Sequence, residues 1–292
     1  FMPTHHEIMP DETLNICQNL YDQGYMSYPR TDEKVYEDGV LESIGLTAAM
    51  LGGQSPEFKK AAEIVNLNKP RPVFDSSRVT EHSALFVTPK KIDFHKLNSD
   101  QKAVYTAVAM RQLAQFTEDM QSASSKVVFS ERGFSFTLKG SAIISEGWGA
   151  LIPYENKADS VPAIAEGEEV NFKGVEISEK KTKAPPRMTV TAFSALLEDC
   201  SRFLSEPVKQ KIGKGQLGTA ATQPTYLKQL TDAGDVQIQK KKYVVSTKQG
   251  RNLKSITPPI LNSPDMTSLW ELQFQAIKKR RQSKEDFLTS LN

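Results

Sequence analysis

The sequence of 292 residues has little cysteine, little histidine and no long apolar run. Its two cysteines, Cys17 and Cys200, stand far apart, which suits reduced thiols better than a disulfide scaffold or a zinc site. No apolar stretch approaches the ~18 residues of a membrane span. The opening residues, FMPTHHEIMP, have no apolar stretch of the signal-peptide kind. A cytoplasmic location without membrane attachment is the resulting expectation. No HExxH, no Cys/His cluster, no DxD carboxylate set and no P-loop occurs, so no metal site of the chain's own is expected. Net charge is only +2, too small to announce a nucleic-acid partner.

What remains is ordinary globular material. With 38% hydrophobic and 25% charged residues, 16 glycines and 16 prolines, the chain is neither disordered, collagen-like nor a coiled coil. At ~150 residues per domain the length allows two domains with room for a small third. The charge distribution says more than its sum. Residues 205–254 hold ten Lys and Arg against Glu206, Asp232 and Asp235, whereas residues 31–42 carry five acids against Lys34 alone. A late positive stretch of this kind suits phosphate.

Periodicity predicts helices over 10–23, from Thr31 or Asp32 through Leu46, and over 98–119, with 54–80 turn-rich and poorly periodic. From about Ser122 the pattern changes. KVVFSE, FSFTLKGSAII, GWGALIPY and EEVNFKGVEI, punctuated by glycines, predict a small antiparallel β domain or barrel. SEKKTKAPPR at 178–187 reads as a linker. Helical pattern returns over 190–204 and in AATQPTYLKQLTDAG. Two short strands in VQIQKKKYVVSTKQG follow, then a helix in SPDMTSLWELQFQAIKKRRQ. Helix, turn, helix and a basic ribbon is the order of a winged helix-turn-helix. The expected class is α+β and multidomain: a helical tyrosine-bearing domain at 1–120, a β-rich hinge domain at 121–186 and a helical winged-helix-like domain at 187–292. Hinges are expected near Ser122 and Pro185–Pro186.

GYMSYPRTD at 24–32 is the most pointed segment. A helix stops at Gly24 and presents Tyr28 beside Arg30. A free phenol, with its pKa of about 10, needs a neighbouring cation or base to act as a nucleophile. Arg30 could supply positive charge to the phenolate and to a phosphoryl group under attack. A surface turn with a packed aromatic explains the same residues. In RVTEHSALFVTPK at 78–90, His82 is flanked by Arg78, Thr80, Glu81 and Ser83. It reads as a phosphate contact, a proton relay or a structural hydrogen-bonding His. Gly213-Lys-Gly215-Gln-Leu-Gly218 matches GxGxxG but follows a helix and not a strand, against a dinucleotide fold. It reads better as a flexible loop offering N–H groups, Thr219 and Thr222 to a phosphate at the next helix. Lys240, Lys241 and Lys242 are either a solvated face or a wing on DNA.

Taken in order, these pieces are similar to type IA DNA topoisomerases. TLNICQNLYDQGYMSYPRTD resembles the family's active-site helix and Tyr-x-Arg-Thr-Asp turn, and RVTEHSALFVTP its His-Ala-Ile-x-Pro-Thr segment. LNSDQKAVYTAVAMRQLAQF resembles the helix closing the tyrosine domain. TKAPPRMTVTAFSALLED, GQLGTAATQPTYLKQLTDAGDV and KKYVVSTKQGRNL resemble the Pro-Pro-Arg entry, the Gly-Thr-x-Ala-Thr helix and the segment after it. The similarity spans residues 10–285 and is nearest to the topoisomerase III branch. Val87 and Ala220 stand where the family favours Pro, and Gln223 where it favours Arg. Nothing resembles the Toprim domain, whose acidic residues hold Mg²⁺ in the family. The resemblance implies the C-terminal part of the family's toroidal core.

The same resemblance implies an ATP-independent enzyme. Tyr28 would attack a phosphodiester to give a 5′-phosphotyrosine, Arg30 would stabilise the phosphoryl charge and His82 would hold the phosphate. DNA contacts would involve Arg78, Arg111, Arg187, Lys214, Thr219, Thr222, Gln223, Lys240, Lys241 and Lys242. The implied partners are single-stranded DNA and a Toprim domain on the parent or a partner chain, with a monomer as the unit. Three alternatives are weighed: a non-catalytic single-strand DNA-binding module, a winged-helix regulator and a phosphatase-like hydrolase. The regulator has no use for the Tyr28 turn, and the hydrolase lacks metal ligands and a Cys nucleophile.

Overall fold

Residues 2–68, 73–154, 161–162, 164–171, 174 and 177–290 are described by a computed structural model. The first helices are α1 (Met2–His5) and α2 (Pro10–Asp22). Pro10 at the first turn and Asp11 and Glu12 beside it suit a helix N-terminus, and Glu12 accepts the Met9 N–H at 2.9 Å. The helix ends where Gly24 takes φ +75°, with Gly24 N–H on the Tyr21 carbonyl (2.7 Å) and Tyr25 N–H on that of Leu20 (2.9 Å).

Two elements here differ from the sequence expectation. The acidic segment becomes helical only at α3 (Val40–Gly52), and neither Thr31 nor Asp32 caps it. The stretch 54–80, expected to be irregular, holds α4 (Pro56–Ile64), capped by Ser55 accepting the Phe58 N–H. Flanking prolines disguised a short helix that begins with one. Next, α5 (Ser99–Leu113) opens with a reciprocal Asn98–Gln101 capping box at 2.8 and 3.1 Å. Leu20, Met26, Leu51, Phe58, Val87, Val104, Tyr105 and Leu113 form the main core of this half. A neighbouring cluster joins Tyr36, Ile44, Ala84 and Phe116.

A long antiparallel hairpin follows, β1 (Gln121–Glu131) and β2 (Phe134–Ser145), turning at Arg132 and Gly133 with φ 48° and 81°. The expected β domain or barrel is corrected here. Among the described residues this hairpin is the only sheet of the region. GWGA is one 3-10 turn, and 168–171, 174 and 177 carry no strand. The other residues of EEVNFKGVEI lie outside the described set. Alternation and strand-forming side chains were read as pairing, but pairing needs partner strands, which two strands alone do not provide. Val128, Phe134, Phe136 and Leu138 are correspondingly exposed. Residues 178–187 are irregular and exposed, as a linker should be.

The last part contains α6 (Val190–Glu198), α7 (Glu206–Ile212), α8 (Gln223–Asp232), β3 (Val236–Gln239), β4 (Tyr243–Ser246), α9 (Lys248–Ile256), α10 (Asp265–Lys278) and α11 (Lys284–Thr289). The helix expected over 190–204 breaks at extended Asp199, whose carboxylate takes the Ser201 N–H at 3.0 Å. α7 and α9 fall in stretches read as loop and strand end. The expected helix–turn–helix–ribbon order is present. β4 also pairs with the segment before α6, through Val190 N–H on the Lys242 carbonyl (2.9 Å) and Val244 N–H on that of Met188 (2.9 Å). Its core of Cys200, Leu204 and Val208 with Leu269 is separate from the earlier clusters. No helix among the described residues is long and apolar enough to cross a membrane.

Candidate active site

Tyr28 leaves the core immediately after a tight pairing of two distant segments. Met26 and Val87, 2% and 0% exposed, form an antiparallel bridge. Ser27 N–H binds the Phe86 carbonyl (2.8 Å) and Ser27 Oγ accepts the Phe86 N–H (2.9 Å). Beyond the turn, Glu33 accepts the Thr80 N–H at 3.2 Å and Ala84 N–H binds the Val35 carbonyl at 2.8 Å. Held at both ends, the 28–33 turn and the 80–84 segment lie side by side.

This brings Tyr28 and His82 into contact, with ring centroids 4.6 Å apart and planes at 47°. Tyr28 is half-buried and His82 exposed. Arg30 is exposed and makes no hydrogen bond or ion pair among the described residues, so its charge is available at the surface that presents Tyr28. A phenol and an imidazole in contact, with a guanidinium two residues along the chain, can receive a phosphodiester: one group to attack, two to stabilise anionic oxygens. Arg78 sits on the 3-10 turn before His82 and is exposed.

The other expected contact residues scatter. Arg111 lies on α5 and lines a cavity of about 980 Å³ with Cys17, Tyr36 and Met110; Tyr28, Arg30 and His82 are not among its lining residues. Arg187 is exposed in the linker. Lys214 pairs with Asp199 at 3.6 Å. Lys240 and Lys241 form the tip of the β3–β4 turn in left-handed backbone (φ 53° and 50°). Lys241 pairs with Glu7 at 3.4 Å, and the Lys242 ammonium lies 5.6 Å from the Tyr243 ring.

The glycine-containing loop differs from its reading as a flexible phosphate cradle. It is packed: a Cβ on Gly215 would meet Ser268 Oγ at 2.7 Å and Cys200 Sγ at 2.9 Å. The Thr219 N–H is taken by Thr222 Oγ1 (3.0 Å), and the Ala220 N–H by the Asp32 carboxylate (3.1 and 3.3 Å). Gln223 spends its amide donors on the carbonyls of Leu197 (3.1 Å) and Leu217 (3.2 Å), tying α8 to α6. Donors that a phosphate would use are engaged inside the fold. Two of these facts share a cause: Val87 and Ala220 replace expected prolines, and each uses the N–H that Pro lacks. The Val87 N–H binds buried Gln112 Oε1 at 2.8 Å.

Sequence reasoning missed Asp32 as a contact between halves because it was assigned to a helix start. Both cysteines are buried and free. Burial pushes the Cys17 thiol up to about 11 and that of Cys200 upward, so neither is a ready thiolate. Among the described residues, no group of three or more His, Cys, Asp or Glu side chains could hold a metal ion. The Mg²⁺ implied by the resemblance therefore finds no fitting donor set in them.

Comparison with known proteins gives the family. A family model described as DNA topoisomerase matches residues 2–289. The chain belongs to the DNA topoisomerase family, in its type IA branch. It is 29% identical over 287 residues to DNA topoisomerase 3 of Vibrio cholerae, covering 96% of this chain and 44% of that relative. To DNA topoisomerase 1 of Alkalihalophilus pseudofirmus it is 27% identical over 284 residues, covering 96% and 40% respectively. The structure of full-length topoisomerase I from Thermotoga maritima shares the fold, with a TM-score of 0.66 at 21% identity over 99% of this chain and 46% of that one. The chain thus spans less than half the length of these relatives.

Proposed function

We propose that this chain carries the strand-cleaving tyrosine of a type IA topoisomerase of the topoisomerase III kind. The observation that carries the reading is the Tyr28–His82 contact, 4.6 Å between rings, with exposed Arg30 two residues away. Tyr28 Oη attacks the phosphorus of a phosphodiester in single-stranded DNA. The P–O3′ bond breaks, leaving a 5′-phosphotyrosine and a 3′-hydroxyl. The phenolic proton leaves to an acceptor, and the departing 3′ oxygen gains one. Arg30 neutralises charge on the pentacoordinate phosphoryl group, and His82 keeps the phosphate in register. The phosphotyrosine conserves the bond energy, so resealing after strand passage needs no ATP.

The proton acceptor and the magnesium belong, on this reading, to a Toprim domain on the parent or a partner chain, and no step here runs through the metal. The protein works as a monomer in the cytoplasm, with 1–120 swinging away from 187–292 about 121–186. The exposed lysines of residues 205–254 follow the backbone of the single strand. By itself the chain binds single strands with little or no turnover.

The test traps a covalent adduct on a labelled oligonucleotide, using this chain joined with a Toprim-bearing segment, and digests it to the modified peptide. Label is expected on Tyr28, and Tyr28→Phe should abolish it while leaving single-strand affinity nearly intact. Label on Tyr21, Tyr25 or Tyr36 would reassign the nucleophile. No label at all would end the topoisomerase reading.

A further inference from the structure

We infer that Tyr21 is a positioning residue for Tyr28, acting through its ring and not through its hydroxyl; the inference rests on the proposed cleavage by Tyr28. Tyr21 meets Tyr28 edge-on, with ring centroids 5.5 Å apart and planes at 76°. With His82 it makes Tyr28 one member of a three-ring group drawn from two distant segments. The backbone beneath Tyr21 is fixed for this purpose. Its neighbour Leu20 is fully buried and anchors the end of α2, and the Tyr21 carbonyl receives the Gly24 N–H at 2.7 Å. The chain reversal that brings Tyr28 out therefore starts from Tyr21 itself.

The core does not need Tyr21. It is 39% exposed, while Cys17 and Leu20 form the buried face of α2. An exposed ring set edge-on against Tyr28 does more for that side chain's orientation than for the fold. Orientation matters because the attacking oxygen lies at the far end of the Tyr28 ring, where small rotations about its side-chain bonds displace it most. Near-attack geometry tolerates little: a misplacement of about 1 Å can lower a rate about a hundredfold. An edge-to-face contact requires an aromatic ring at position 21 and no hydroxyl.

The experiment uses the chain joined with a Toprim-bearing segment and a labelled single-stranded oligonucleotide, after the wild-type adduct has been located on Tyr28. Tyr21→Phe should keep the single-turnover rate of adduct formation within about twofold, whereas Tyr21→Ala and Tyr21→Leu should lower it about three- to tenfold. Oligonucleotide Kd and thermal midpoint should be nearly unchanged in all three. A wild-type rate in the Ala and Leu variants would overturn the inference. So would an equal loss in Tyr21→Phe, which would point to the hydroxyl, or a loss confined to Kd. A wild-type protein with no adduct on Tyr28 would instead remove the cleavage reading, and this inference with it.

Discussion

The Asp32 carboxylate accepts the backbone N–H of Ala220, 188 positions away, with both oxygens within 3.3 Å. It joins the turn that presents Tyr28 to the loop entering α8. Thr4–Thr191 (2.7 Å), Lys241–Glu7 (3.4 Å) and Lys278–Glu81 (3.3 Å) also cross between the same halves. These contacts are exposed, and exposed polar pairs contribute only about 0–1 kcal/mol each. Such a seam can hold two bodies together and still release them. Asp32→Ala should leave global stability within about 0.5 kcal/mol and speed hydrogen exchange at the Ala220 amide. Unchanged protection there would mean that other contacts hold the seam without Asp32.

Arg30 and His82 should separate in size of effect. Arg30→Ala leaves the nucleophile in place and removes a cation from the developing charge, so adduct formation should lose about 2–4 kcal/mol of transition-state stabilisation. His82→Ala removes a positioning contact and should be milder. Single-turnover cleavage rates on one oligonucleotide decide the order; a larger loss for His82→Ala would assign it the proton chemistry.

Gln112 is fully buried and serves Val87 twice, accepting its N–H at 2.8 Å and donating to its carbonyl at 3.3 Å. Gln112→Leu keeps the volume and strands that N–H away from water. The expected destabilisation is about 1–3 kcal/mol by urea unfolding. A neutral result would require water to reach Val87.

The wing tip sets conformation against charge. Lys240 and Lys241, in the three-residue connection between Gln239 and Tyr243, both occupy left-handed backbone, which Asn and Gly adopt more readily. Replacing them with Asn and Gly should raise stability by about 1 kcal/mol. It should also weaken single-strand binding and flatten its salt slope by about one to two units. A more stable variant with an unaltered slope would make the tip a solvated turn.

Alkaline pH should destabilise the tyrosine-bearing half. Burial raises the Cys17 thiol from 9.0 to about 11. Burial likewise raises Tyr36 from 10.0 to about 12, against the opposing charge of Arg111. A folded-state pKa above the unfolded one gives stability that is present below the unfolded value and lost as pH rises through the folded one. For Cys17 the window is therefore pH 9 to about 11, with about 2–3 kcal/mol at stake. Unfolding curves across that window should show the loss, and Cys17→Ala should flatten it. An identical alkaline limb in the variant would assign the loss to Tyr36 and other groups.

Much of this protein was legible in one dimension because its signals are local. Helix periodicity and capping residues marked α2, α5 and α8, and Lys-rich alternation marked the β3–β4 ribbon. The Tyr-x-Arg-Thr-Asp turn and the segment around His82 pointed to the family before any contact was known. Helix ends at Asp199 and the start of α3 were misplaced, since those are decided by single backbone hydrogen bonds.

The remainder depended on what each segment packs against. Residues 147–177 alternate like strands, yet those described add none, because a strand exists only where another edge accepts its hydrogen bonds. The loop before α8 had the composition of a phosphate cradle, but Asp32 and Thr222 reach its donors first. No local pattern could show that Ser27 would bond Phe86, or that the rings of Tyr21, Tyr28 and His82 would meet. The sequence by itself determined the elements and the reactive groups, through spacing and side-chain chemistry. Only the tertiary structure decided which groups meet, because that follows from contacts between residues distant in the chain.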